Sequence, residues 1–117
     1  MGNIIKTPQG SYYAVIFTSK RTVGDKGYKQ TADELMQIVS EQEGFLGAES
    51  VRNEEGFGMT ISYWDSMDSI NKWKNNQPHL RAKDNGTKLW YSEYMLRICK
   101  VERDHYFISN EDSADNL

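Results

Sequence analysis

The chain is short of sulfur chemistry, of histidine and of long apolar runs, and each shortage closes a class of function. One cysteine, Cys99, in 117 residues excludes an internal disulfide and leaves no thiolate cluster for a metal. Its setting, "MLRICKV", suits a buried core thiol rather than a nucleophile. The two histidines, His79 and His105, fit neither H-x-x-x-H nor the spacing of a two-histidine, one-carboxylate centre, so no metal site is expected. The longest apolar runs, such as "AVIF" at Ala14 to Phe17, are too short to cross a bilayer. Met1 to Gly10 lacks a secretory hydrophobic region, so the chain is expected in the cytoplasm. Basic residues number 14 against 17 acidic ones, a net charge of −3. With no Lys/Arg stripe, neither nucleic acid nor an anionic membrane is an expected partner. There is no G-x-G-x-x-G or Walker loop for a nucleotide and no G-x-S-x-G elbow for a serine hydrolase.

What is present is an ordinary globular balance, 38% apolar and 26% charged, enough for one domain. "SYYAVIFTS" (Ser11 to Ser19) is aromatic and β-branched and reads as a strand. A Gly-containing loop follows, with Asp25 available to cap a helix. Tyr28, Ala32, Leu35, Met36 and Val39 then recur at helical spacing, and Gly44 reads as the C-terminal cap. "FLGAESVRN" and "FGMTISYW" flank "EEG" as a hairpin. On its second strand Phe57, Met59, Ile61 and Tyr63 share one face, and Gly58, Thr60, Ser62 and Trp64 the other. "DSMDSINKWKN" begins with Asp65 or Ser66 as N-cap and buries Met67, Ile70 and Trp73 or the stem of Lys74. Pro78 suits the first turn of a further helix running towards Tyr91, loosened around "DNG". "YMLRICKVE" is the last strand, with Tyr94, Leu96 and Ile98 on one face and Met95, Arg97 and Cys99 on the other.

The order β-α-β-β-α-β, with its second helical region broken in two, is the α+β, ferredoxin-like split βαβ pattern with an antiparallel sheet. Helices cover one face of such a sheet. The other would expose more apolar side chains than a soluble monomer usually shows, so a homodimer through the open face is expected. Residues 1–10 read as a lead-in, 11–107 as the domain, and 108–117 as an acidic tail expected to be disordered.

"SYYAVIFTSKRTVGDKGY", "GFLGAESVRNEEGFGMTISYWDSMDSINKWK", His79 and "LWYSEYMLRICKVERDHYF" together resemble the antibiotic biosynthesis monooxygenase family, over roughly residues 11–107. The resemblance implies a dimeric α+β barrel, in agreement with the strand and helix reading. It further implies one of several chemistries. Some members oxidise polycyclic hydroquinones or anthrones with O2, using neither metal nor flavin, whereas others degrade haem. Haem-degrading relatives resemble one another in an Asn on the first strand, a Trp on the middle helix and a ligating His about three turns on. Matching Trp73 to that tryptophan puts Lys83 at the ligand position and Phe17 near the asparagine, with His79 about one turn early. The haem reading is therefore disfavoured.

Cofactor-free oxygenation needs an apolar cavity for a flat ring system, a proton acceptor, and a polar group facing developing charge. Phe17, Tyr63, Trp64 and Trp90 are the candidate substrate-binding residues, with Trp73 as a ring-stacking wall. His79, the side chain there that titrates near neutrality, is the candidate proton acceptor, and Arg97 the candidate anion partner. Each also has a packing explanation: Trp64 and Trp73 as core packing, Trp90 and Tyr91 as a helix end packed against sheet or partner, His79 as an exposed residue at a helix start, Arg97 as a buried or half-buried structural cation. His105, beyond the last strand, reads as surface. The function expected is a cofactor-independent monooxygenase for a small aromatic or polyketide-type substrate. The alternative is a non-catalytic small-molecule-binding or accessory dimer.

Overall fold

The β-branched and aromatic run after Ser11 forms β1 (Tyr12–Arg21), the strand to which the rest of the sheet is added. The structure, a computed structural model, describes residues 4–110. It continues through α1 (Tyr28–Ser40), β2 (Phe45–Arg52), β3 (Phe57–Trp64), α2 (Met67–Lys74) and α3 (Gln77–Asn85). A single π-helical turn, Gly86–Trp90, leads into β4 (Tyr91–Val101). All pairings are antiparallel, in the order β2-β3-β1-β4, so the fold is the split βαβ, ferredoxin-like α+β arrangement.

Local chemistry explains the boundaries. Gly27, at φ +82°, precedes α1, and the Asp25 carboxylate accepts from the Lys29 N–H at 3.2 Å, so Asp25 caps the first turn from two residues upstream. Ser66 is the N-cap of α2 and accepts from the Ser69 N–H. Asn76 does the same for α3, whose first turn holds Pro78. Gly44 is not the cap of α1, which already ends at Ser40. It lies at φ +84° under the β3–α2 turn, where a Cβ would run into Ser69 and Asp65, and its carbonyl accepts from the Asp65 N–H. The glycine is needed for close approach rather than for stopping the helix.

Strand pairing gives the sheet two unlike faces. On one, the register sets Arg52, Gly58, Ser19 and Tyr94 in a row, then Ser50, Thr60, Phe17 and Leu96, then Ala48, Ser62, Val15 and Ile98. The helices lie on this side. Val39 from α1 and Ile70 from α2 close over Trp64, which is 1% exposed, with Tyr13, Val15, Phe45 and Trp73 around them. Burying a tryptophan this fully contributes several kcal/mol, since truncation to alanine costs ~3–5 kcal/mol. Met67, expected in this core, is exposed instead.

The opposite face is less bare than the pattern of strands suggests. The segments before β1 and after β4 cross one end of it. Ile5 lies against Gly47, its N–H donating to Glu49 Oε2 at 3.0 Å. Thr7 and Tyr12 both donate to Asp104 Oδ2, at 2.7 and 2.6 Å, and Lys6 sits over the Tyr106 ring. Tyr12 and Ala14 are buried as a result. At the hairpin end the row Val51, Met59, Thr18 and Met95 has no such cover, Val51 being 74% and Met95 52% exposed. Ile108 and Ser109, placed in the tail by sequence, are half-buried. Residues 111–117 of that expected disordered tail, and 1–3 of the lead-in, lie outside the described residues.

Candidate functional site

Two aromatic assemblies stand on the helix side of the sheet. The first runs from the core outward. Phe45 packs edge-on to Trp64, Trp64 stacks with Trp73 at 6.5 Å, and Trp73 stacks with His79 at 4.8 Å and 22°. Trp73 reaches this position because it follows Ile70 by three residues on α2. His79 reaches it because the Asn76 cap and Pro78 start α3 just beyond. Its N–H donates to the Asn76 side chain at 3.3 Å. The imidazole Nδ1 is buried and makes no hydrogen bond among the described residues. Burial lowers the His79 pKa. The carbonyls of Trp73 and Lys74 oppose the shift, though neither meets Nδ1 in hydrogen-bonding geometry, and Lys83 adds to it. The ring is thus held neutral near neutral pH. Trp73 is engaged by Trp64 and His79, so it serves as a buttress to the imidazole more than as an open stacking wall.

The second assembly lies at the hairpin end. Tyr28, at the start of α1, meets Trp90 and Tyr91 edge-on, and Phe17 touches Tyr91 and Tyr94 with centroids at 5.1 and 5.3 Å. The π-helical turn creates this arrangement. It brings Trp90 inward, where Nε1 donates to the Lys26 carbonyl at 2.9 Å, and the Tyr91 ring packs over Gly86. Burial, then the Tyr28 hydroxyl, push the Tyr91 pKa far up, while Arg52 and Arg21 pull against them. The Arg21 guanidinium lies 3.7 Å from the Tyr28 ring centre.

The residues singled out from sequence are therefore divided. Phe17, Trp64, Trp73, His79 and Trp90 are on the helix side, in two clusters. Trp64 and Trp90 are buried core, with Trp64 Nε1 donating to Ser62 Oγ at 2.9 Å. Tyr63 does not join them. Strand alternation turns it to the opposite face, where it lies edge-on to Tyr12 and donates to Glu49 Oε1 at 2.7 Å. Burial and that carboxylate push its pKa up to about 12. Arg97 shares the face of Tyr63. It is exposed on β4, and makes no hydrogen bond or ion pair among the described residues, so it is not the half-buried anion partner expected. Cys99 is half-buried rather than core, and His105 is exposed as expected.

Tyr28, Tyr91, Arg21 and Arg52 were missed as a group, because nothing local joins positions so far apart in the chain. For Arg52 alone a signal existed, since alternation from Ser50 turns it to the helix side. Lys83, at the position where haem-degrading relatives would carry a ligand, is exposed on α3, so these residues do not fit haem there. Among the described residues no three His, Cys, Asp or Glu side chains group to hold a metal ion, and no helix is long and apolar enough to cross a membrane.

Similarity to known proteins agrees with this architecture. The chain is 46% identical over 110 residues to the uncharacterized protein YqjZ of Bacillus subtilis (strain 168), covering 94% of this chain and 96% of that one. Its fold is similar to that of PA3566 from Pseudomonas aeruginosa (TM-score 0.65, 14% identity, 85% of this chain and 100% of that one). It is also similar to SnoaB, a cofactor-independent oxygenase from Streptomyces nogalater (TM-score 0.62, 10% identity, 86% of this chain and 99% of that one). The family model of the antibiotic biosynthesis monooxygenases matches residues 24–85, a span running from the loop before α1 to the end of α3. With more than half the chain matched, from the Asp25 cap through Trp64, Trp73 and His79, the protein belongs to the antibiotic biosynthesis monooxygenase family.

Proposed function

We propose that this protein is a cofactor-independent monooxygenase that uses O2 to oxidise a small, flat aromatic or polyketide-type substrate of the hydroquinone or anthrone class. The observation that carries the reading is the imidazole of His79, half-buried, held flat against Trp73 and kept neutral by desolvation. A neutral imidazole at this pH is a proton acceptor. It takes the acidic C–H or O–H proton of the substrate, and the resulting anion passes one electron to O2. Recombination of the two radicals gives a peroxide anion, which takes the proton back from the His79 imidazolium to become a hydroperoxide. For an anthrone, loss of water from it leaves a carbonyl where a CH2 stood, with one oxygen atom in the product and one in water. The similarity to SnoaB supports an oxygenase of this kind. In this reading His79 is the catalytic base and Trp73 positions it. The protein works as a homodimer.

The test is oxygen consumption by the purified protein with a panel of anthrones and hydroquinones. Uptake above the spontaneous rate, reduced at least tenfold in His79→Ala and partly restored by Trp73→Phe relative to Trp73→Ala, is the expected result. Uptake indifferent to His79, or none across the panel, would overturn the proposal. The second reading is a non-catalytic small-molecule-binding dimer. It is favoured by the placement of Tyr63 and Arg97 on the other face, which leaves His79 without the charged partner that oxygenation would use.

A further inference from the structure

Arg21 and Arg52 are half-buried cations with no ion-paired carboxylate among the described residues. Both lie on the helix side at the hairpin end, where the Gly56 carbonyl accepts from the backbone N–H of Arg21 at 2.9 Å and from Arg52 Nη1 at 2.6 Å. Their remaining bonds go to neutral oxygens. Arg21 donates to the carbonyls of Trp90, Gly24 and Asp25, and Arg52 to the Ser19 carbonyl and hydroxyl. No carboxylate forms an ion pair with either among the described residues. Arg21 Nη1 and Arg52 Nε make no hydrogen bond at all among them. A half-buried guanidinium normally finds a carboxylate or phosphate to offset its charge; here Arg21 has only the face of the Tyr28 ring and neutral oxygens, and Arg52 only neutral oxygens, among the described residues. Phe17 and Tyr94 extend from the same place as an apolar surface, and Tyr94 is 39% exposed.

We infer that the hairpin end of the helix-side face is a binding site for an aromatic carboxylate. The ligand's carboxylate lies between Arg21 and Arg52, accepting from their free N–H groups, and its ring lies against Phe17 and Tyr94. Tyr28 and Tyr91 close the inner wall with their hydroxyls. The site is distinct from His79. Gly58, in the row of Arg52, and Trp64, beneath Trp73, are six residues apart on β3, a separation of ~20 Å along an extended strand. Binding there does not depend on whether the protein consumes oxygen.

The experiment is calorimetric titration of the full chain with 2-naphthoate and, separately, with its neutral amide 2-naphthamide. We expect the carboxylate to bind at least tenfold more tightly than the amide, and this preference to weaken as KCl is raised from about 50 to 500 mM. Arg52→Gln should abolish the preference, Arg52→Lys should keep part of it, and His79→Ala should leave it intact. The native chain's salt dependence does not require any variant to fold, and so guards against an Arg52 variant that fails for structural reasons. Equal affinity for acid and amide, no binding of the acid, a preference that ignores salt, or one that survives in Arg52→Gln would each overturn the inference.

Discussion

His79 shows how a single side chain can acquire chemistry from its surroundings alone. Removing water from the imidazole penalises its charged form, so its folded pKa falls below the value of about 6.5 found in an unfolded chain. As pH drops, the unfolded state takes up the proton first. Stability from this residue is therefore complete above about pH 6.5 and declines as pH falls towards the lowered native value. Thermal unfolding between about pH 7.5 and 5.5 should show a steeper loss of midpoint in the native chain than in His79→Gln. Parallel curves would mean that the ring is not desolvated in solution. The same residue scale shows what was legible in the sequence. Alternation along β3 correctly put Trp64 and Tyr63 on opposite faces, and that alone precludes both from lining one cavity. Trp73 and His79 could be named from sequence, but not their stacking, which needs the turn between α2 and α3 to fold back.

At the scale of the elements, boundaries followed from local chemistry wherever a cap or turn residue was present. The hairpin at Asn53–Gly56 and the caps of α2 and α3 belong here. Gly44 is the instructive exception. Its place after α1 suits a helix cap, but it lies three positions beyond the C-cap Glu41, and its real constraint comes from Asp65 and Ser69, more than twenty residues later. No local pattern carries that contact. Gly44→Ala should therefore lower stability by ~2–4 kcal/mol in urea unfolding, combining a positive-φ alanine with a clash. Gly27→Ala, also at positive φ but with open space around its Cβ, should cost only ~1–2 kcal/mol. Equal losses would show that the contact beneath α2 carries no weight. The π-helical turn was sensed only as a loosening around "DNG". Its consequence, Tyr91 folded over Gly86 and against Tyr28 and Phe17, depends on several segments at once.

For the whole molecule, the sheet's open face is where expectation and structure diverge most informatively. A bare apolar face argued for a second copy. The two terminal segments cover one end of it, tied together through Thr7, Tyr12 and Asp104, and leave Val51 and Met95 at the hairpin end exposed. Light scattering at micromolar concentration should give twice the chain mass, and Met95→Lys should shift the equilibrium towards monomer. A native monomer would show that the terminal segments suffice as cover. Hydrogen bonding to Tyr12 and Thr7 also keeps the Asp104 pKa below its ordinary value. This group's contribution is thus present above about pH 4 and is lost as pH falls through its native value.

Arg97, displaced from its expected place in a pocket, takes on a different meaning at the rim of the sheet. β4 is eleven residues long and, among the described residues, pairs only with β1. Its outer edge offers a row of backbone groups to any extended chain, flanked by exposed Met95, Leu96 and Ile98. Such an edge is a template for fibre growth, and interspersed charge is the usual protection. Glu93, Arg97 and Lys100 supply that charge at intervals along the strand. Arg97, which makes no hydrogen bond or ion pair among the described residues, thus sets a charge on the strand that an incoming chain would have to cover.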